Sequence, residues 1–371
     1  MDKKTQKIGR FRRTMLGIMG PSLSKVLIAR LLRKKIDKSP AAFPADLSRS
    51  SDILFILPQD RVEMVFLLES LFAILGRYKN SNVTFLCPAA HAPYVSGRKR
   101  VQVIKYNPSD FQLYSAEFNR LAGELSNRAF DICVLLEKEQ ALAHLYFAGL
   151  SRAHLRIGWG GVNCYPFLNV RLVPTERKGV TIWERNLEIA KILDANADTT
   201  VRWGVQKTTA DEVAQLLGEY KLRKDHPLVC IDLASLERAC GGKWCTELLN
   251  ALKNSGIRQF YIFGGPEEEH HSFQNAPFPI LPSMSIPRTA ALIASTEVVI
   301  TGPGALLGLA QISMSKIVPT LSDEDAAAYC KKNGNIMPAT FSREPDDKTI
   351  RAIMKNVKTL LSSKPEPYAP V

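Results

Sequence analysis

The chain has 371 residues, 46 % of them hydrophobic. A single domain with one hydrophobic core is usually shorter than this, so two domains are expected. The net charge of +13 is uneven, because residues 1–38 contribute +10 and the other 333 residues only +3. The near-neutral body argues against a protein that binds nucleic acid over its whole fold.

The basic segment, residues 1–38, carries twelve Lys and Arg together with apolar residues such as Phe11, Met15 and Leu16. No A-x-A-like cleavage site closes a long apolar run, which argues against a secretory signal peptide. The longest uncharged run, TMLGIMGPSLS, is too short to cross a bilayer. A basic amphipathic segment fits an anionic membrane surface, and a solvated basic tail is the alternative.

The first half of the chain alternates strand and helix patterns. After a Pro- and Ser-rich linker at 38–51, the pattern predicts strands at 52–57, 82–88, 101–106 and 131–137, with helices at 62–78, 118–130 and 141–152. The strands are continuous apolar runs, which is typical of a parallel sheet covered on both faces.

The alternation restarts in the second half. It predicts strands at 226–233, 258–265, 297–302 and 315–321, with helices at 210–222, 243–256, 287–296, 304–313 and 347–363. We therefore predict four parts: a basic extension and linker at 1–45, a first domain at 46–205, a second domain at 206–345, and a helix with a tail at 346–371.

The seven cysteines show neither a C-x-x-C pair nor zinc-ligand spacing. Several lie within apolar runs, such as FDICVLL, so buried free thiols in a reducing compartment are expected. The adjacent His270 and His271 lack the spacing of metal ligands, and the sequence predicts no metal site or cofactor.

Ligands of open α/β sheets bind beyond the carboxyl ends of the strands. In the second half, TGPGALLGLA places Gly302, Gly304 and Ala305 between a strand and a helix, where backbone N–H groups and the helix dipole favour a diphosphate. Plain turn chemistry is the alternative for this segment. Lys243, expected at a helix start after a loop, would supply the positive charge that TGPGALLGLA lacks.

A further turn, FGGPEEE, follows the strand at 258–265. Gly264 and Gly265 would form the turn, and Glu267 and Glu268 would accept hydrogen bonds from ribose hydroxyls or base N–H groups. A solvated charged surface is the alternative for these acids.

These segments together resemble glycosyltransferase family 9, the ADP-heptose:lipopolysaccharide heptosyltransferases. FGGPEEE resembles the family's G-G-P-x-E, GGKW resembles K-x-W-P, and Arg156, Gly158 and Trp159 resemble R-x-G-W. RTAALIASTEVVITGPGALLGLA resembles the segment that carries the family's D-T-G-P-x-H motif. The resemblance implies the GT-B fold, an α/β architecture of two facing Rossmann-like domains with parallel sheets.

The resemblance also implies an activity, that of a metal-independent inverting glycosyltransferase. The donor would be a nucleotide-diphosphate sugar, an ADP-sugar by analogy with heptose among the candidates, and the acceptor a lipid-linked glycan such as lipopolysaccharide. Glu63 falls on the family's catalytic Asp, with Asp60 three residues earlier, and Arg156 and Trp159 would serve the acceptor or the region between the domains. A cytoplasmic location, peripheral on the inner membrane, follows from the same analogy.

The chain departs from the family at two polar positions. The family's Asp of D-T-G falls at Gly302 or Pro303, and its His falls at Leu307 or Gly308. These losses motivate an alternative: a catalytically inactive GT-B protein that binds or assembles partners in surface-glycan synthesis. The sequence argues against a dinucleotide-dependent oxidoreductase, because no G-x-G-x-x-G follows a strand and no acid lies at the matching distance.

Overall fold

The structure is a computed structural model of the protein. It describes residues 29–34, 36, 38, 47, 50–111, 113, 115–137, 142–160, 164–173, 180–195, 206–222, 226–257, 259–263, 278–331 and 334–363.

The chain divides into two compact units. Unit 1 comprises residues 1–64 and 75–175, and unit 2 comprises residues 65–74 and 176–371. The middle of one helix thus belongs to unit 2, although the rest of that helix belongs to unit 1. The division near residue 175 precedes the boundary at 205 that the sequence predicts.

Unit 1 contains a parallel sheet of six strands. Its strands are β1 Asp52–Ile56, β2 Asn82–Pro88, β3 Val101–Tyr106, β4 Ile132–Leu135, β5 Leu155–Trp159 and β6 Val170–Leu172. Their order across the sheet is β3-β2-β1-β4-β5-β6, and every pairing is parallel. The order reverses between β1 and β4, so these strands form the switch point of the sheet.

The helices of unit 1 are α1 Arg61–Arg77, α2 Ala92–Val95, α3 Ala116–Ser126 and α4 Leu142–Leu150. The α3 helix begins after Ser115, whose hydroxyl accepts a hydrogen bond from the Phe118 N–H at 3.0 Å. One core cluster joins α3 and α4 to the sheet and also includes Leu32 and Ile36. Part of the basic segment is therefore packed into unit 1.

Unit 2 contains a second parallel sheet of six strands. Its strands are β7 Leu228–Asp232, β8 Gln259–Phe263, β9 Ile280–Leu281, β10 Val298–Thr301, β11 Lys316–Ser322 and β12 Ala339–Phe341. They lie in the order β12-β11-β10-β7-β8-β9. The switch point therefore falls between β7 and β10.

The helices of unit 2 are α5 Ile182–Ile192, α6 Lys207–Glu219, α7 Leu233–Cys240, α8 Gly242–Lys253, α9 Ile286–Ala294, α10 Ala305–Ile312, α11 Asp323–Tyr329 and α12 Asp347–Ser362. The α12 helix packs into the core of unit 2 through Ile350, Ile353 and Val357. The expected loop before Lys243 is wrong, because α7 occupies that segment and Asp232 caps its first turn.

The predicted α/β fold class is confirmed by the two parallel sheets with their helices. Across the part of the chain that is described, no helix combines the length and the apolar character needed to span a bilayer. All seven cysteines are free thiols, and six of them are buried.

Candidate functional site

The first polar cluster lies at the carboxyl ends of β7 and β10, the two central strands of unit 2. Asp232 ends β7 and pairs with Thr301 at the end of β10. The carboxylate accepts hydrogen bonds from the Thr301 hydroxyl at 2.9 Å and from the Ser235 N–H at 3.3 Å. Asp232 is 7 % exposed, and Ser235 and Thr301 are fully buried. These contacts form a closed network at the position where open α/β sheets bind ligands.

The network also occupies the N–H of Gly302, which donates to the Ser235 hydroxyl at 2.9 Å. A Cβ atom at Gly302 would lie 2.7 Å from the Ser235 carbonyl oxygen, so glycine is required by this close approach. Burial raises the pKa of Asp232, and hydrogen bonds from Ser235 and Thr301 oppose that rise. The Gly302 amide thus already has an acceptor in this structure, and its predicted contact with a phosphate stays a prediction.

The start of α10 has no side-chain cap among the described residues. Gly304 precedes the helix without a side-chain cap, and Gly304 and Ala305 are partly exposed. The first N–H groups of a helix have no intrahelical partner and favour anions. Among the three residues predicted to bind a diphosphate here, Gly304 and Ala305 thus have backbone amides suited to a phosphate.

The positions that resemble the family's His lie in the interior of unit 2. Leu307 is fully buried. A Cβ atom at Gly308 would lie 2.7 Å from Cγ1 of Val65 and 3.3 Å from the Phe66 ring. Apolar side chains therefore surround both positions.

Lys243 lies in the first turn of α8, and its side chain is exposed. No ion pair to it is present among the described residues. Its predicted role with a diphosphate stays a prediction. Gly264, Gly265, Glu267 and Glu268 lie outside the described residues.

A second polar cluster lies at the carboxyl ends of β1 and β4 in unit 1. Glu137, which follows β4 and is 7 % exposed, accepts a hydrogen bond from the Gln59 N–H at 2.8 Å. The His144 Nε2 atom lies 3.4 Å from Gln59 Nε2 and 3.3 Å from the Tyr106 hydroxyl. This cluster joins the loop after β1, the end of β3 and the α4 helix.

His144 is 1 % exposed and stacks on Phe111, with ring centroids 4.9 Å apart. Burial lowers the pKa of His144 to about 4, so its imidazole is neutral at physiological pH. Its Nδ1 atom is buried without a hydrogen-bond partner among the described residues. A buried neutral imidazole suits a structural or positioning role better than proton transfer near pH 7.

The predicted catalytic acids lie at the start of α1. The Asp60 carboxylate accepts a hydrogen bond from the Glu63 N–H at 2.8 Å, which is the geometry of a helix N-cap. Glu63 is the acid in the first helical turn and is partly exposed. Asp60 thus has a structural function, whereas the predicted catalytic role of Glu63 remains a prediction.

Arg156 and Trp159 lie on β5. The Arg156 guanidinium is 1 % exposed and donates to the backbone carbonyls of Ala153, Pro166 and Phe167 at 2.7, 3.1 and 3.0 Å. These bonds fix the turn at 164–168, and the predicted acceptor or interdomain role of Arg156 stays a prediction. Trp159 is 4 % exposed, and its indole N–H has no partner among the described residues.

Acids at D-x-D spacing occur at Asp323 and Asp325, in the first turn of α11. Asp323 accepts a hydrogen bond from the Ser342 hydroxyl, and Asp325 accepts one from the Ser322 hydroxyl, each at 2.8 Å. These are helix-start contacts. In the described ranges, no group of three His, Cys, Asp or Glu side chains is placed to hold a metal ion.

Sequence reasoning missed the acids and hydroxyls that build both clusters. Asp232 and Glu137 each close an apolar strand pattern, LVCID and DICVLLE, and this polar ending was the available signal. The contact between Asp232 and Thr301 depends on a strand pairing 69 residues apart, which one sequence does not specify.

Comparison with known proteins gives a likeness in structure. No protein-family model and no curated protein matches the sequence. A crystal structure of a glycosyl transferase family 9 protein from Veillonella parvula DSM 2008 is similar, with a TM-score of 0.70 and 12 % identity, over 87 % of this chain and 99 % of the other.

Two Escherichia coli enzymes are also similar. The ADP-heptose lipopolysaccharide heptosyltransferase II gives a TM-score of 0.66 at 17 % identity, covering 84 % of this chain and 98 % of the other. Heptosyltransferase WaaC, solved with ADP, gives a TM-score of 0.62 at 17 % identity, covering 83 % and 99 %. With its two Rossmann-like sheets, this chain therefore has the fold of GT-B glycosyltransferases.

Proposed function

We propose that this protein is an inverting glycosyltransferase that uses a nucleotide-diphosphate sugar and extends a lipopolysaccharide or another cell-surface glycan. The observation that carries the proposal is a fold similarity that spans 87 % of this chain and 99 % of a family 9 structure. The substrate class comes from analogy, because one fold hosts several chemistries. An ADP-sugar, with heptose as one candidate, is the donor to test first.

The donor diphosphate is assigned to unit 2. The amides of Gly304 and Ala305 at the start of α10 supply oriented donors, and the exposed Lys243 ammonium supplies a positive charge. Fixed dipoles and one cation can stabilise the negative charge that grows on a leaving diphosphate. The proposed reaction is therefore metal-independent.

The acceptor is activated in unit 1 under this proposal. The Glu63 carboxylate takes the proton of the acceptor hydroxyl as that oxygen attacks the anomeric carbon. The bond between that carbon and the diphosphate oxygen breaks on the opposite face, so the anomeric configuration inverts. A positioned carboxylate of this kind contributes roughly 10²–10⁴-fold to the rate.

The acceptor is proposed to be lipid-linked, and the basic segment is proposed to hold the enzyme at an anionic membrane surface on the cytoplasmic side. Residues 1–38 carry +10 of the total charge of +13. Each cation near an anionic bilayer contributes about 1 kcal/mol, so this segment carries enough charge for surface binding.

A second candidate is a catalytically inactive GT-B protein that binds or assembles partners in surface-glycan synthesis. The network at Asp232 favours it, because a buried carboxyl group and an occupied Gly302 amide leave a poorer site for a diphosphate. Interior packing at Leu307 and Gly308 supports the same candidate.

Calorimetric titration with ADP, GDP and UDP tests donor binding. We expect one of them to bind and Lys243→Gln to weaken that binding about tenfold, the equivalent of one charge-assisted contact. Lys253→Gln is the matched control, because Lys253 is exposed at the opposite end of the same helix. Failure of all three nucleotides to bind contradicts the transferase proposal.

Transfer and donor-hydrolysis assays test the chemistry. Glu63→Gln is expected to lower turnover roughly 10²–10⁴-fold with nucleotide binding unchanged. Asp60→Asn keeps a good helix cap and is expected to retain activity. Equal background rates in the wild type and Glu63→Gln reject the enzyme and leave the inactive binding protein.

A further inference from the structure

The helical residues 29–33 attach the basic segment to unit 1. Leu32 is 1 % exposed and Ile36 is 5 % exposed, and both belong to the unit 1 core. Ile36 packs directly on Gly149, where a Cβ atom would lie 2.7 Å from the Ile36 side chain. Leu32 and Ile36 are therefore fixed in the core of unit 1.

The same helical segment exposes the residues that do not pack. Leu31 is 45 % exposed, and the neighbouring Arg30 and Lys34 are also exposed. An apolar side chain flanked by cations is typical of the face of a helix that lies on an anionic bilayer. The preceding 28 residues add seven Lys and Arg, with one Asp among them.

An exposed aromatic residue contacts the chain at Lys38, shortly after this helical segment. Tyr165 is 51 % exposed, and its hydroxyl donates to the Lys38 carbonyl at 2.7 Å. The turn that carries Tyr165 is fixed by the buried Arg156 side chain, which donates hydrogen bonds to the Pro166 and Phe167 carbonyls. A ring held in this way keeps a defined position at the surface, and tyrosine is enriched where proteins meet the headgroup region.

We propose that Arg30, Leu31, Lys34 and Tyr165 form the face of unit 1 that contacts an anionic lipid bilayer, with the buried Leu32 and Ile36 fixing residues 30, 31 and 34 on unit 1. This proposal rests on the membrane association proposed for residues 1–38 and is independent of transferase activity. It assigns contacts to the folded domain as well as to the basic segment.

Co-sedimentation with phosphatidylcholine vesicles, with and without phosphatidylglycerol, tests this face. We expect Tyr165→Ser and Leu31→Ser each to weaken binding to the anionic vesicles several-fold, and Arg30→Glu with Lys34→Glu to weaken it more than about tenfold. Tyr220→Ser is the matched control, because Tyr220 is 36 % exposed in unit 2, and it is expected to bind as the wild type does.

Two further variants separate the possible failures. Tyr165→Phe keeps the ring and removes the hydrogen bond to Lys38, so its vesicle binding should stay near the wild type if the ring contacts lipid. Binding of Tyr165→Ser and Leu31→Ser at the wild-type level overturns the proposed face. Deletion of residues 1–28 with no loss of binding instead overturns the membrane role of the basic segment.

Discussion

At the scale of single residues, buried polar groups explain more of this protein than exposed ones. The motif resemblance predicts an acceptor or interdomain role for Arg156. In the structure its guanidinium donates to three backbone carbonyls and stabilises a turn. A motif identifies a residue type and its spacing, but burial decides whether the side chain reaches a ligand. Asp232 shows the converse, because its importance depends on a cross-strand partner that no local pattern reveals.

The buried His144 is expected to make the stability of unit 1 depend on pH. Its pKa is lowered to about 4 by burial, below the ordinary value of 6.5, so the unfolded chain binds a proton that the folded chain excludes as pH falls from 6.5 towards 4. The stability that the neutral His144 allows is therefore fully present above pH 6.5 and is lost as the pH falls from 6.5 towards 4. His144→Gln removes the titration and should reduce the loss of stability between pH 7.5 and pH 5 by about 1–2 kcal/mol.

Urea unfolding at the two pH values measures this difference. His154→Gln is the control, because His154 is exposed in the same unit. An unchanged pH dependence in His144→Gln would show that another group controls acid unfolding. His91 is the first alternative, since burial lowers its pKa as well.

At the scale of elements, the strands were predictable and some helices were not. The strands DILFI, NVTFLCP and LVCID are apolar throughout, as buried parallel strands require. The sequence pattern predicts a loop where α7 forms, because the eight residues of this helix give little more than two turns of periodicity. Asp232 supplies the missing start signal, since it caps α7 while it ends β7.

The α1 helix illustrates how an element is shared by the two units. Its residues 65–74 belong to unit 2, where the Glu69 carboxylate accepts a hydrogen bond from Lys331 Nζ at 2.6 Å. Lys331 Nζ also lies 4.2 Å from the centre of the Trp183 ring. Because the side chain of Glu69 is 13 % exposed, removing Lys331 would leave a largely buried acid without this cation.

We expect Lys331→Met to destabilise the protein by about 1–3 kcal/mol, because it removes the ion pair and the contact with the Trp183 ring. The control is Arg288→Met, which breaks the pair with Glu212 at 2.7 Å between side chains that are 53 % and 52 % exposed. Its cost should be less than about 1 kcal/mol. A double-mutant cycle with Glu69→Gln measures the coupling, and equal costs for the two pairs would contradict the prediction.

At the scale of the whole molecule, alternation of apolar strands with helices was enough to predict two α/β units. The sheet orders, the register of each strand pair and the assignment of residues 65–74 to unit 2 were not predictable, because they depend on contacts distant in sequence. The basic segment shows the same limit. Its charge was evident from the sequence, whereas the packing of Leu32 and Ile36 became evident only from the structure.

That packing predicts different outcomes for two truncations. Removal of residues 1–28 is expected to change the free energy of unfolding by less than about 0.5 kcal/mol, because none of the core residues found in the structure is lost. Removal of residues 1–38 takes Leu32 and Ile36 from the core and should cost about 3–6 kcal/mol. Thermal or urea unfolding distinguishes them, and equal stability of the two truncations would contradict the role of this pair.

The close approach at Gly308 couples this position to the α1 helix. A Cβ atom at this position would lie 2.7 Å from Val65 Cγ1 and 3.3 Å from the Phe66 ring. Any larger residue at 308 therefore displaces the α1 side chains unless position 65 is made smaller at the same time. Exchange of the two positions together, and of neither alone, is the change that this packing tolerates.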